Sequence, residues 1–277
     1  MKSSCLTVLR RSCLAAALGL AGVLAACGPA PRVTALNAPS PDLGYLQAPV
    51  LNSARLAGNQ VILSGRAAAG ARVRLSSPKG QAFGTTVADT GQWTIEVPIA
   101  AGAAEPLQLF GLSQDRDGRM VQAEGYIGVL PDAATPAVLL RAGTGARRIG
   151  VAQANSASVL IADFDDVGAL AVSGSVAPGQ AVKAALDGDW VAQGLAGRDG
   201  RYSLALSGAT KPGPHQVLVQ TGGRTLAIII DVQPARLPKG TLYQSIPLQK
   251  GWRIDWTTPS GGVQSSVIMS ATIQGPA

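Results

Sequence analysis

The chain has 277 residues, a formal net charge of +7 and a hydrophobic fraction of 47%, with only 4% aromatic residues. Its single histidine excludes a metal site built from a histidine pair. Its positive residues form no run interleaved with aromatic residues, of the kind that binds nucleic acid. The composition therefore implies no cofactor and no nucleic-acid partner.

Residues 1–26 have the pattern of an export signal. A positively charged start precedes an apolar stretch at residues 13–23, which is too short to cross a membrane as a helix. The stretch ends in Leu-Ala-Ala-Cys at residues 24–27, and Gly28 follows. This ending resembles the lipobox of bacterial lipoproteins, in which the signal peptide is cut before the cysteine.

The resemblance implies that Cys27 becomes the N-terminus and carries lipid on its thiol and amine. Several acyl chains anchor a protein stably, because a single chain binds only marginally. A small residue such as Gly28 after the cysteine implies sorting to the outer membrane, with the domains in the periplasm. The alternative is an ordinary secretory signal with a chance cysteine. Cys5 and Cys13 leave with the signal, so the mature chain forms no internal disulfide.

Residues 27–48 form the next segment and hold several prolines among small residues. This composition predicts a flexible tether between the lipid and the first domain.

The segment at residues 61–97 recurs from about residue 171 at a constant offset of 109 residues. The matched positions are Ser64-Gly65 with Ser173-Gly174, Gly70 with Gly179, Val73 with Val182, Gly91 with Gly200, and Trp93 with Tyr202. An offset that preserves glycines, a valine and an aromatic position indicates one fold used twice.

Both copies alternate apolar and polar residues over short runs separated by turn residues such as Pro-Gly and Asp-Gly. No run has a sustained helical period. Short strands with turn signals about every 8–12 residues predict a β-sandwich in each copy. The run at residues 226–232 is almost entirely apolar, so we expect it to be buried on both faces or paired centrally.

The first copy reads S-G-x-A-x-x-G-A-x-V and then G-T-T-V-A-D-x-G-x-W within residues 64–93. The second copy, S-G-S-V-A-P-G-Q-A-V and then R-D-G-R-Y, is similar but more diverged. This pattern resembles the bacterial Ig-like domains of surface and envelope proteins. The resemblance implies an all-β chain with two tandem Ig-like β-sandwich domains and a broad binding role, but it names no ligand.

Six segments follow from these patterns. They are a signal peptide, a tether, a first Ig-like domain, a linker or hairpin, a second Ig-like domain and a short β extension, at residues 1–26, 27–48, 49–131, 132–157, 158–235 and 236–277.

Tryptophans are the candidate contact residues. If Trp252 and Trp256 lie on one strand, they share a face, with Arg253 on the opposite one. They either bind a sugar ring or a partner protein, or they cover the second sandwich. Trp190 follows a turn sequence and is expected to be exposed. Tryptophan and arginine dominate the energetics of protein contacts.

Two sets of polar side chains are candidates for metal binding or catalysis. Asp163, Asp165 and Asp166 are weak candidates for a calcium site, because the pattern lacks the further oxygen ligands of known calcium loops. His215 is the only histidine available to a catalytic triad, and no nucleophile-elbow motif accompanies it. We therefore predict a lipid-anchored envelope protein without catalytic activity, which binds a protein partner or, alternatively, peptidoglycan or polysaccharide.

Overall fold

The computed structural model describes residues 45–99, 107–143, 145–150 and 158–269, except for the side chains of residues 159 and 160. The predicted signal peptide, the lipidation site at Cys27 and most of the tether lie outside these residues. Within them the secondary structure is all β, with twenty strands. No helix of the described residues has the length and apolar character needed to cross a membrane.

The first repeat and the segment after it contain ten strands. These are β1 Val50–Ala57, β2 Gln60–Arg66, β3 Arg72–Ser76, β4 Ala82–Thr86, β5 Gln92–Pro98, β6 Gln108–Arg116, β7 Arg119–Gln122, β8 Tyr126–Val129, β9 Ala137–Leu140 and β10 Arg147–Ile149.

Ten further strands build the second repeat and the C-terminal extension. These are β11 Ser158–Asp165, β12 Leu170–Ser175, β13 Ala181–Leu186, β14 Asp189–Leu195, β15 Arg201–Leu206, β16 Gly213–Thr221, β17 Arg224–Val232, β18 Tyr243–Leu248, β19 Gly251–Thr257 and β20 Val263–Met269.

The strands form four sheets. Sheet 1 has the order β1-β2-β5, and sheet 2 has the order β10-β9-β8-β6-β3-β4, with β7 also paired to β6. Sheet 3 has the order β15-β12-β11-β20-β19-β18, and sheet 4 has the order β14-β13-β16-β17. The order β1-β2-β5 recurs as β11-β12-β15, and β4-β3-β6 recurs as β14-β13-β16. The same Greek-key exchange of the fifth strand between two sheets occurs in both repeats, which confirms two tandem Ig-like sandwiches.

The glycine and aromatic positions that match between the repeats have a packing explanation. Gly65 pairs with Trp93 across β2 and β5, and a Cβ added at Gly65 would lie 2.5 Å from the indole and 1.9 Å from a backbone oxygen. Gly174 pairs with Tyr202 in the second repeat, where an added Cβ would lie 2.5 Å from the phenol oxygen. Glycine is required at both positions because an aromatic ring lies across the neighbouring strand.

Three apolar cores separate the four sheets. Core 1 joins sheets 1 and 2 and includes Val61, Leu63, Trp93, Val73 and Phe110. Core 2 joins sheets 3 and 4 and includes Val172, Tyr202, Phe164, Val219 and Ile228. Core 3 joins sheets 2 and 3 and includes Leu109, Val138, Leu140, Ile161, Ile254, Trp256 and Ile268.

Core 3 makes the two repeats one packed body rather than two domains on a string. Neighbouring residues in a strand serve different cores: Leu109 packs in core 3 and Phe110 in core 1. The β9–β10 hairpin extends sheet 2, and β18 to β20 extend sheet 3. The segments outside the repeats therefore enlarge the two inner sheets, which are buried on both faces where they pack against each other in core 3.

Candidate binding surface

Of the two interpretations open for Trp256, the structure favours the one in which the indole covers a sheet instead of forming an exposed aromatic platform. Its side chain is 0% exposed in core 3, its ring lies edge-on to Tyr126 at 5.9 Å, and its Nε1–H donates to Ser266 Oγ at 3.3 Å. Trp252, on the same face of β19, is partly buried against that core. The tryptophans face the first repeat because sheet 2 covers this side of sheet 3. A buried indole presents no surface to a ligand.

Arg253 lies on the opposite face of β19, as alternation predicts, but it is a structural residue. Its Nε donates to Asp255 at 2.7 Å, and its guanidinium donates to the Gln233 carbonyl at 2.7 Å. The same group lies over the Phe164 ring, 5.3 Å from the centroid. Asp255 also accepts a hydrogen bond from Ser265 at 2.7 Å. The Nε and Nη2 groups of Arg253 both donate to groups of the fold, so Arg253 does not fit the predicted role of contact residue.

Two of the three aspartates considered for calcium, Asp163 and Asp165, accept hydrogen bonds from protein donors. Asp163 is buried and accepts hydrogen bonds from Ala146 N at 2.7 Å and Ser266 Oγ at 2.5 Å. Burial is the main effect on its carboxyl and raises its pKa. Asp165 caps the following turn by accepting from the backbone N–H groups of Val167 and Ala169. Asp166 is exposed on this turn.

No group of three or more metal-ligating side chains occurs among the described residues.

His215 is held by two acceptors. Its Nδ1 lies 2.6 Å from an Asp187 carboxylate oxygen, and its Nε2 lies 2.7 Å from the Lys211 carbonyl oxygen. The hydrogen bond to Asp187 raises the pKa of His215 most, and the bond to Lys211 adds to this effect. Two acceptors favour the imidazolium, in which both ring nitrogens donate. The ring therefore fastens β16 to the β13–β14 turn and has no free nitrogen to act as a base.

Trp190 is the one candidate tryptophan with a largely exposed side chain, at 55%. It opens a cross-strand row on the outer face of sheet 4, where the backbone pairing continues to Ala185, Leu218 and Ala227. Ala185 is only 1% exposed although it faces outward, between two larger apolar neighbours. Ile229 lies on the same face of β17, two residues after Ala227, and is 76% exposed. We call these five residues the Trp190 surface.

The exposure of Ile229 contradicts the prediction made for its strand. The run at residues 226–232 was expected to be buried on both faces or paired centrally, but β17 is an edge strand and its residues alternate between buried and exposed. Its inward residues Leu226, Ile228 and Ile230 pack in core 2. The outward isoleucine is exposed because sheet 4, like sheet 1, is an end layer of the described residues and no described sheet covers its outer face. The turn Gly222-Gly223, which makes β17 the last strand of a hairpin, was the available signal.

Polar side chains border the Trp190 surface. The next cross-strand row contains Lys183, Gln220 and Thr225, all exposed. Gln216 lies opposite Ile229 and is also exposed. An apolar centre with a polar border is the usual anatomy of a protein contact surface.

Comparisons with known proteins give no family. No family model matches the chain, and no curated protein matches it. Among solved structures, it is similar to a biofilm-associated protein BSP domain, with 14% identity over 70% of this chain and 30% of that chain and a TM-score of 0.23. The chain thus spans less than a third of that protein.

Two further solved structures are similar at the same level. A calcium-stabilised, ice-binding adhesin of an Antarctic bacterium has 14% identity over 82% of this chain and 66% of that one, with a TM-score of 0.23. A bacterial integrin-binding invasin has 11% identity over 82% and 55%, with a TM-score of 0.21. At these TM-scores the likenesses carry no argument about what this chain binds.

Proposed function

We propose that this protein is a non-catalytic binding and scaffolding module of the bacterial envelope, anchored by lipid on Cys27. The lipobox resemblance supports the anchor and its place in the outer membrane, with the sandwiches facing the periplasm. The tether at residues 27–48 would separate the sandwiches from the bilayer.

The Trp190 surface carries the proposal of a protein partner. Trp190 and Ile229 are large apolar side chains exposed on the same outer sheet face, and exposure of this kind costs solubility unless the face is used. A broad sheet face suits a protein surface more than a small ligand, because small-molecule sites are usually concave. Trp190 lies at the β14 edge of this face, and tryptophan is a typical hot-spot residue of protein contacts.

The alternative of glycan binding loses most of its support. It relied on several exposed tryptophans, whereas Trp252 and Trp256 pack in core 3. Trp190 remains as a single ring among aliphatic neighbours. A glycan would therefore have one stacking position, without the aromatic pair on β19.

Cross-linking in intact cells tests this function with matched variants. We expect a discrete adduct with one envelope protein in the wild type, and its loss in Trp190→Ser and in Ile229→Ser. Val167→Ser is the control, because Val167 is also 76% exposed but lies outside the Trp190 surface. Equal adducts in all four proteins would reject the proposed surface.

Tryptophan fluorescence separates the glycan alternative. Since Trp93 and Trp256 are buried and Trp252 is partly buried, quenching or a spectral shift by a glycan would report mainly on Trp190. The proposal predicts no change on titration with soluble peptidoglycan fragments. A saturable shift that disappears in Trp190→Phe would favour the glycan function instead.

A further inference from the structure

Two arginines lie side by side on the β9–β10 hairpin, away from the Trp190 surface. Arg147 in β10 pairs with Leu139 in β9, and strand alternation places Arg141 on the same face as both. Arg141 and Arg147 line a pocket of about 260 Å³ at the side of the first sandwich. The rest of its wall is mainly apolar and includes Pro49, Val50, Leu51, Leu112, Ile127 and Leu139.

The positive charge of this pocket is only partly compensated within the described residues. The Nε atoms of Arg141 and Arg147 are buried, and neither has a hydrogen-bond partner among those residues. The pKa of Arg147 is lowered by burial first, then by the charges of Arg201 and Arg141. Asp199 is the acid that opposes this effect, and it already lies 3.5 Å from Arg201.

Neighbouring groups do not supply the missing acceptors. Arg201 donates to the Arg148 carbonyl at 2.9 Å, so its role is to hold β15 against β10. Glu124 also lines the pocket, yet it forms no ion pair with Arg141 or Arg147 in the described structure. The Nη groups of Arg141 and Arg147 are not among the buried unpaired atoms of the described residues, so an anionic ligand would accept hydrogen bonds from them and offset the cost of holding two partly buried guanidinium groups together.

We propose that this pocket binds a small organic anion, in which a carboxylate is attached to a short apolar body. Planar guanidinium groups match a carboxylate with two parallel hydrogen bonds. The aliphatic wall formed by Val50, Leu51 and Ile127 suits a hydrocarbon body. The volume lies just below the range of about 300–1,000 Å³ that is typical of ligand pockets, so the body must be short.

Hexanoate is a suitable probe, and hexanamide is its neutral control with the same carbon skeleton. Binding to the full-length protein is measured by saturation-transfer NMR and by titration calorimetry. We expect hexanoate to bind, and hexanamide to bind at least about tenfold more weakly, because the neutral amide forms no charge-assisted pair of hydrogen bonds with a guanidinium.

Three variants locate the site. Arg147→Gln and Arg141→Gln should each weaken hexanoate binding about tenfold, by the same charged hydrogen bonds. Arg224→Gln removes an exposed arginine of β17 and should leave the affinity unchanged. Arg141 lies outside the strands, so its variant keeps the test valid if Arg147→Gln does not fold.

Several results would overturn the proposal. The pocket does not recognise a carboxylate if hexanoate fails to bind or binds no better than hexanamide. The same conclusion follows if the Arg141 and Arg147 variants bind hexanoate as tightly as the wild type does. Occupation of the pocket by a segment of the chain itself would give the first of these results.

Discussion

Trp256→Ala is the sharpest test of the packing that unites the repeats. The indole is completely buried in core 3, between sheets 2 and 3. Its removal leaves a cavity beside Tyr126, which it contacts edge-on at 5.9 Å, and deletes the hydrogen bond to Ser266. Replacing a buried tryptophan by alanine costs about 3–5 kcal/mol. We expect a loss of this size in the free energy of unfolding.

Urea unfolding followed by far-UV circular dichroism measures this loss without relying on the deleted fluorophore. Trp256→Phe keeps most of the apolar volume and should lose less than the alanine variant. Trp190→Ala serves as the surface control and should change the free energy by no more than about 0.5 kcal/mol. A loss below about 1 kcal/mol in Trp256→Ala would refute the reasoning, because it would mean that core 3 does not hold the indole.

Three further predictions concern other parts of the chain. Gly65→Ala should lower the free energy of unfolding in urea by about 1–3 kcal/mol, because its Cβ would lie 1.9 Å from a backbone oxygen. Gly84→Ala is the control and should cost less, because the atom nearest to its Cβ lies at 3.2 Å. Equal losses in the two variants would contradict this packing. The raised pKa of His215 means that the wild type gains stability over His215→Ala below the ordinary histidine pKa of 6.5 and loses this gain as the pH rises through the folded value. The difference between their urea midpoints should therefore be larger at about pH 5 than at about pH 9. A difference that is constant or grows with pH would exclude a stabilising contact between charged His215 and Asp187. Cys27→Ser should move the protein from the membrane to the soluble fraction and abolish the mass of an acylated N-terminal peptide; an unchanged distribution would remove the proposed lipid anchor.

The sequence contained enough to predict the repeated sandwich. Gly65 with Trp93 and Gly174 with Tyr202 recur because each aromatic ring crosses a neighbouring strand that has room only for glycine. Such contacts are local to one sheet, so spacing and alternation reveal them. The alternation within β19 was predicted for the same reason.

The layer above a sheet was not predictable in the same way. Trp256 and Ile229 are both apolar residues on alternating strands, yet one is fully buried and the other is 76% exposed. The difference arises because sheet 2 covers sheet 3, while no described sheet covers the outside of sheet 4. Periodicity identifies a strand's faces, but only the packing of distant segments decides what each face contacts.

The partner surface is tested most directly by a photo-reactive amino acid placed at Ala227 in living cells. Ala227 lies in the cross-strand row that begins at Trp190. Met120 provides the control position, because it is exposed on the first repeat. We predict one discrete protein adduct from position 227 and none of that mass from position 120. The same adducts from both positions, or none from position 227, would contradict a binding module that acts through the outer face of sheet 4.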